Sequence, residues 1–167
     1  GFIRRAIPEN IHISMDFTPG SYVVSADPTK MQQVLANLAV NARDAMPSGG
    51  ELIIGLSKLK TDKKNTPLFP EMSPGAWIVL TVRDTGTGIN PDILPRIFEP
   101  FYTTKEVGKG SGLGLSQVYG IVKQHAGFID VKSAAGRGSA FVIYLPAVEA
   151  PAERPQEEPE RAVPKGR

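Results

Sequence analysis

Two asparagines, Asn37 and Asn41, stand four residues apart in a segment that begins at Asp27-Pro28. An α-helix places residues with this spacing on one face, and both amides would lie at the edge of the segment's apolar stripe. An amide oxygen is a hard, neutral ligand that suits Mg²⁺. The pair could therefore hold a metal at the rim of a cavity. Ordinary hydrogen bonds to nearby backbone are the alternative.

Asp84 directly follows residues 77–83, a segment rich in Ile, Val and Leu that predicts a strand. The inward-facing row of this strand would consist of Ile78, Leu80, Val82 and Asp84. A half-buried carboxylate needs hydrogen-bond donors, and the exocyclic amine of adenine could be one of them. An Asx-turn that holds the following bend is the alternative. Gly86 and Gly88 in that bend allow either unusual backbone angles or the close approach of a ligand.

A glycine-rich loop, residues 108–115, reads Gly-Lys-Gly-Ser-Gly-Leu-Gly-Leu and leads directly into a predicted helix. Free backbone N–H groups and the helix dipole at such a junction favour phosphate, and Lys105 and Lys109 could neutralise further negative charge. The spacing fits neither the P-loop, because Gly110 follows Lys109, nor the dinucleotide motif, which would need glycine at Leu115. A flexible linker is the alternative, although the flanking segments are apolar and periodic.

Strands and helices that alternate along the chain must position these groups. The predicted strands are residues 11–17, 51–60, 77–83, 129–133 and 139–145, and residues 22–25 could form a further short one. The predicted helices are residues 28–46, a short one at 91–97, and 113–126, with Gly127 as its C-terminal cap. This order indicates an α/β (α+β) two-layer sandwich with helices on one face of a sheet.

Composition limits the classes of protein that the chain could represent. Its 167 residues, 41% hydrophobic and 22% charged, predict one globular domain, 1–147, followed by a Pro/Glu-rich linker or disordered tail, 148–167. The absence of cysteine excludes a disulfide framework and thiolate zinc, and two histidines argue against a multi-histidine metal site. A net charge of +2 gives no sign of nucleic-acid binding. No apolar run is long enough to span a membrane, so a cytoplasmic domain is expected.

Taken in their order along the chain, these motifs resemble those of sensor histidine kinases. The run from Gln33 to Ala45 (Gln-x-x-x-Asn-Leu-x-x-Asn-Ala-x-x-Ala) resembles their asparagine box. Residues 84–89 (Asp-Thr-Gly-Thr-Gly-Ile) and 110–115 (Gly-Ser-Gly-Leu-Gly-Leu) resemble their two glycine boxes, residues 97–105 their phenylalanine box, and residues 136–139 their last glycine turn. The similarity spans about residues 22–146 and indicates a catalytic ATP-binding domain of the GHKL superfamily, shared with gyrase, a heat-shock chaperone and mismatch-repair ATPases.

The resemblance implies the Bergerat fold, a mixed, mainly antiparallel sheet of about five strands under three helices. It implies that Asn41 holds Mg²⁺ on the triphosphate, that Asn37 lies beside the phosphates, that Lys105 assists catalysis, and that Asp84 binds the adenine amine. Residues 98–112 would be a mobile ATP lid. The remaining residues implied to contact the nucleotide are Gly86, Gly88, Ile89, Lys109, Gly110, Ser111, Gly112, Leu113, Gly114, Leu115 and Ser139.

Three positions depart from the pattern of the family. Many members carry Lys or Arg where this chain has Asp44, Tyr where it has Ala45, and Arg where it has Thr103. Arg43, Lys105 and Lys109 are the alternatives for the missing positive charge.

The expected function is that of a protein-histidine kinase catalytic domain that uses Mg-ATP. Asn37 stands where gyrase-type relatives carry a glutamate that activates water, and an amide cannot act as a general base. Neither His12 nor His125 lies in a phosphoacceptor setting, so the isolated chain is predicted not to autophosphorylate. The expected partners are a helical dimerisation and phosphoacceptor domain of the same kinase and, as in hybrid kinases, a receiver domain or response regulator. A conformational ATPase with a closing lid and a docking module without nucleotide are the alternative functions.

Overall fold

A computed structural model describes residues 7–20, 22–62, 69–102 and 114–148. The five strands are β1 (Ile11–Phe17), β2 (Gly50–Thr61), β3 (Gly75–Asp84), β4 (Phe128–Ser133) and β5 (Ser139–Pro146). They form one sheet in the order β1-β2-β3-β5-β4, in which β1 runs parallel to β2 and the other neighbouring pairs are antiparallel. The predicted mixed, mainly antiparallel sheet is therefore confirmed. Residues 22–25 contribute only an isolated bridge between Val24 and Ala147.

The first helix, α1 (Pro28–Ala45), begins and ends within one residue of its predicted limits. The Asp27 side chain accepts a hydrogen bond from the Thr29 N–H at 2.9 Å, and Pro28 occupies a position where its missing N–H has no consequence. The apolar stripe packs on the sheet and buries Val34, Leu38, Ala39 and Ala42. Asn37 and Asn41 are half-buried at its edge, as the helical pattern predicts.

The second helix, α2 (Gly114–Gln124), packs beside α1 on the same face of the sheet. Within the described ranges these are the two α-helices, and the third expected helix, at residues 91–97, is reduced to a single 3₁₀ turn, Leu94–Arg96. Pro95 explains the difference, because at the fifth position of the predicted helix it has no N–H to donate to the carbonyl four residues earlier. The core between the helices and the sheet includes Leu38, Val118 and Phe141 among its most buried side chains.

The opposite face of the sheet carries a second, smaller core that the sequence analysis did not predict. It consists of Met72, Trp77, Val79, Phe128, Val142 and Tyr144, with Leu59 and Phe69 packed against it. The Phe69 ring stacks on that of Phe128 with centroids 4.9 Å apart, and the Trp77 Nε1–H donates to the Ser73 carbonyl at 3.1 Å. The described part of the loop between β2 and β3 therefore covers this face without a helix. The described residues contain no helix long and apolar enough to span a membrane.

The predicted cap at Gly127 is wrong by one residue. Ala126 adopts the left-handed conformation, with φ +59°. The Ala126 N–H donates to the Lys123 carbonyl at 3.1 Å and the Gly127 N–H to the Val122 carbonyl at 2.9 Å, which together form a Schellman motif. Gly127 is required for a different reason, because a Cβ there would lie 2.6 Å from the Tyr144 carbonyl oxygen.

The Ala126→Gly substitution should stabilise the protein by about 0.5–1 kcal/mol. A left-handed conformation costs an L-residue roughly 1–2 kcal/mol, which exceeds the additional unfolded-state entropy of glycine, about 0.4–1 kcal/mol. Urea unfolding of the two proteins measures the difference. The matched control is Ala36→Gly in the interior of α1, which should destabilise by about the same amount. A lower free energy of unfolding for Ala126→Gly would contradict the prediction.

Candidate functional site

The C-terminal end of α1 meets the turn that follows β3. The Thr87 N–H donates to the Ala45 carbonyl at 3.0 Å. A Cβ at Gly86 would lie 2.2 Å from the same carbonyl oxygen, so only glycine allows the turn to approach the helix this closely. Asn41 precedes Ala45 by one turn of α1, and Asp84 directly precedes the turn that follows β3. The structure therefore brings Asn41 and Asp84 to the same side of the molecule.

Asp84 is a buried carboxylate, with 3% of its surface exposed. Its Oδ1 accepts a hydrogen bond from the Gly86 N–H at 2.9 Å, and the Ser139 N–H also donates to the carboxylate. Burial raises the pKa of Asp84 above its ordinary value, and these two backbone donors partly oppose the rise. The Asx-turn considered as an alternative is therefore present. A carboxylate offers about four acceptor positions, which leaves capacity for a ligand.

Gly88 has a structural reason to be glycine. Its φ is +76°, and a Cβ there would lie 2.1 Å from the Ala134 carbonyl oxygen in the hairpin between β4 and β5. As at Gly86, the close neighbour is backbone of this chain. The structure thus favours the tight-turn interpretation of both glycines, and their contact with a purine stays a prediction.

Ser133 joins three segments around Asp84, and the sequence analysis missed it. Its Oγ accepts from the Ile89 N–H at 2.7 Å, donates to the Gly138 carbonyl at 3.0 Å and lies 2.9 Å from the Ser139 Oγ. Ser139, with 4% of its surface exposed, pairs with Asp84 across β3 and β5. The Ser133 side chain thereby connects Ile89 to Ser139, the residue that pairs with Asp84. The available signal was the pair of serines flanking the Gly-Arg-Gly turn, which a hairpin sets opposite each other.

At the other end of the site, Asn37 contacts the N-terminus of α2. The Asn37 Nδ2 donates to the Gly114 carbonyl at 3.3 Å and to the Gln117 Oε1 at 3.2 Å. The Gln117 Oε1 also accepts from the Gln33 Nε2 at 3.1 Å. The structure therefore brings Asn37 and Gly114 together, and the contact of each with phosphate stays a prediction. It adds Gln33 and Gln117, whose positions on two packed helices could not be read from either segment alone. Leu115 is half-buried and packs against the core, and its contact with the nucleotide stays a prediction.

Asn41 lies between these two ends and is half-buried. Within the described ranges its side chain forms no hydrogen bond, so its oxygen is available to a ligand. The same residues contain no cluster of three or more His, Asp or Glu side chains that could hold a metal by themselves. This donor set fits Mg²⁺, which takes few protein ligands and is completed by phosphate oxygens and water.

Six of the predicted nucleotide contacts lie outside the described residues. They are Lys105, Lys109, Gly110, Ser111, Gly112 and Leu113. Of the aromatic residues that precede them, Phe98 packs 5.3 Å from the Tyr119 ring, whereas Phe101 is 73% exposed. Arg43, one of the alternatives for the missing positive charge, forms an ion pair with Asp44 at 3.1 Å.

The two histidines occupy positions unrelated to the site. His12 is exposed on β1. The His125 Nε2 accepts from the Asp27 N–H at 3.2 Å, and its Nδ1 lies 2.8 Å from the Ile121 carbonyl oxygen. Because a carbonyl only accepts, Nδ1 carries the proton and the ring joins the end of α2 to the start of α1. This is a structural role.

The fold and these motifs together define the family. The chain belongs to the histidine kinase-, DNA gyrase B- and HSP90-like ATPases, whose family model matches residues 26–149. Among curated proteins it is similar to the sensor kinase CckA of Brucella abortus, with 45% identity over 86% of this chain and 15% of that relative. It is also similar to the sensor histidine kinase ZraS of Salmonella typhi, with 39% identity over 75% of this chain and 23% of that relative. The chain thus spans less than a quarter of either protein.

Solved structures of histidine kinases share the fold. The mycobacterial sensor histidine kinase MprB matches with a TM-score of 0.67 and 27% identity, over 87% of both chains. Full-length ShkA, solved in complex with AMPPNP, matches with a TM-score of 0.69 and 26% identity, over 89% of this chain and 28% of that chain.

Proposed function

We propose that this chain is the Mg-ATP-binding catalytic domain of a two-component sensor histidine kinase, in the cytoplasm. The observation that carries the proposal is the arrangement along one edge of α1. Ala45 contacts the turn after Asp84, Asn37 contacts the start of α2, and Asn41 lies midway. Eight residues of helix separate the two ends by about 12 Å. An extended nucleotide with its base at one end and its phosphates at the other suits this line of polar groups.

At the base end, Asp84 would accept a hydrogen bond from the exocyclic amine of adenine. Guanine presents a carbonyl oxygen at the corresponding position, which a carboxylate would repel, so Asp84 would select ATP over GTP. Gly86, Gly88, Ile89 and Ser139 would border the base.

At the phosphate end, the N-terminus of α2 at Gly114 favours negative charge. Asn41 would hold Mg²⁺ on the triphosphate, where the ion neutralises charge on the phosphate oxygens. Asn37 would lie beside the phosphates. The roles of Lys105, Lys109 and residues 110–113 as phosphate contacts stay predictions.

The nature of Asn37 favours a kinase over a hydrolase. Its amide nitrogen already donates to Gly114 and Gln117, and an amide cannot take a proton from water. Catalysis would then consist of positioning and charge neutralisation until a histidine nucleophile arrives. That histidine would belong to a separate helical dimerisation and phosphoacceptor domain of the same kinase, and a receiver domain or response regulator would take the phosphoryl group onward.

A phosphotransfer assay tests this proposal. The chain is incubated with γ-labelled ATP and Mg²⁺, alone and with a separately prepared phosphoacceptor domain, and the same domain with its histidine replaced is the control. We expect label on the intact acceptor domain only. Label on His12 or His125 would contradict the prediction that the chain alone is inert. Phosphate release at an equal rate without the acceptor would favour a conformational ATPase, and failure to bind ATP would favour a docking module.

A further inference from the structure

We propose that Gln117 is a positioning residue that fixes the orientation of the Asn37 amide at the phosphate end of the site. The inference rests on the proposed function, because it assigns to Asn37 a defined atom that faces the Mg-triphosphate. Gln117 itself would touch neither nucleotide nor metal.

The orientation of the Asn37 amide follows from its partners. The Gly114 carbonyl can only accept a hydrogen bond, so the group 3.3 Å from it must be the Asn37 nitrogen. The second proton of this nitrogen points to the Gln117 Oε1 at 3.2 Å. With both protons engaged by α2, the Asn37 Oδ1 is the atom left for a ligand. It lies 4.0 Å from the position that a Cβ at Gly114 would occupy, at the start of α2.

Gln117 is itself held in one orientation. Its Oε1 faces two donors, the Asn37 Nδ2 and the Gln33 Nε2, which donates at 3.1 Å. A reversed Gln117 amide would set its own N–H groups against both donors, so the three amides are fixed as a set. Without the Gln117 acceptor, the Asn37 amide would retain a single bond to α2, and it could turn its nitrogen toward the ligand.

The chemical consequence concerns which ligand Asn37 can serve. An amide oxygen suits a cation or a water bound to it, whereas an amide nitrogen suits a phosphate oxygen. With Gln117 in place, Asn37 therefore offers its amide oxygen to the magnesium ion of Mg-ATP or to a water bound to that ion. A substitution of Gln117 should therefore change the affinity of the chain only for ligands that carry Mg²⁺ and phosphates.

The Gln117→Met substitution tests the proposal because it keeps the size of the side chain and removes the acceptor. We expect the affinity for Mg-ATP to fall about 2- to 12-fold, the equivalent of one hydrogen bond of about 0.5–1.5 kcal/mol. The affinity for adenosine and the melting temperature without nucleotide should stay unchanged, since Gln117 is exposed. Gln124→Met, at an exposed position of the same helix, is the matched control.

A double-mutant cycle shows whether Gln117 acts through Asn37. In an Asn37→Ala background, Gln117→Met should have no further effect on Mg-ATP affinity. An additive loss in the double variant, an equal loss for adenosine, or wild-type affinity in Gln117→Met would each overturn the inference. A wild-type chain that binds no Mg-ATP would overturn the proposed function itself, and this inference with it.

Discussion

Asn41→Ala should reduce the affinity of the chain for ATP in the presence of Mg²⁺ to the value that the wild type shows in EDTA. The Asn41 oxygen is the protein ligand proposed for the metal, and the described residues contain no cluster of three or more His, Asp or Glu side chains that could hold the ion in its place. The substitution should not harm the fold, because Asn41 is half-buried, forms no hydrogen bond within the described ranges and lies in a helix, where alanine is preferred. Calorimetric titration with ATP, with and without Mg²⁺, measures the effect.

The control for this prediction lies on the same helix. Gln32 is exposed on α1, and Gln32→Ala removes an amide without touching the site. It should leave both titrations unchanged. The Asn41→Ala protein should unfold at the same or a slightly higher temperature than the wild type. Undiminished Mg-ATP affinity in a folded Asn41→Ala protein would remove Asn41 from the site.

Features encoded by neighbouring residues could be predicted from the sequence. The limits of α1 follow from Asp27, Pro28 and the Pro-Ser-Gly-Gly sequence after Met46. The spacing of Asn37 and Asn41 gives their place at the edge of the buried stripe, because helical geometry alone determines it. Four strands extend one to three residues beyond the predicted limits, and β1 matches them, since alternation and turn residues are local signals.

Features that depend on packing between distant segments could not be predicted. Strand β3 is buried on both faces, so Trp77 and Val79 are as buried as the row that ends at Asp84. Among the described residues of the loop between β2 and β3, Phe69 and Met72 cover this face, and their contact with the sheet has no sequence signal.

Whether a position must be glycine also depends on packing between distant segments. Gly86 and Gly127 are required by the Ala45 and Tyr144 carbonyls, which approach them from other elements. A sequence pattern indicates that a glycine has a purpose, but the approach of distant backbone decides between a turn, a cap and a ligand contact. Ser133 and Gln117 were missed for a related reason, because their hydrogen-bond partners are set by strand register and helix packing.

Asp84→Asn should weaken ATP binding by about 10- to 150-fold, since a hydrogen bond to a charged group is worth about 1.5–3 kcal/mol. The carboxylate already accepts from the Gly86 and Ser139 N–H groups. An amide has one oxygen for these two donors and the adenine amine, and its own NH₂ would face donors. The preference for ATP over GTP should narrow, because the repulsion between the carboxylate and the guanine carbonyl is removed. Parallel titrations with both nucleotides measure this, with Asp92→Asn, at an exposed carboxylate, as the control.

The pH dependence of ATP binding separates a charge effect from a packing effect at Asp84. Burial holds the pKa of Asp84 above its ordinary value, so lowering the pH through that raised pKa protonates the carboxyl group and should weaken ATP binding by the wild type. The nucleotide-free protein should respond in the opposite sense: its folded state takes up the proton more readily than the unfolded state, so the free energy of unfolding gains from Asp84 as the pH falls through the same range. Asp84→Asn should lack both responses, since an amide does not titrate there. If the variant kept the wild-type pH dependence of ATP affinity, another group would carry it, and the assignment of Asp84 to the adenine amine would fail.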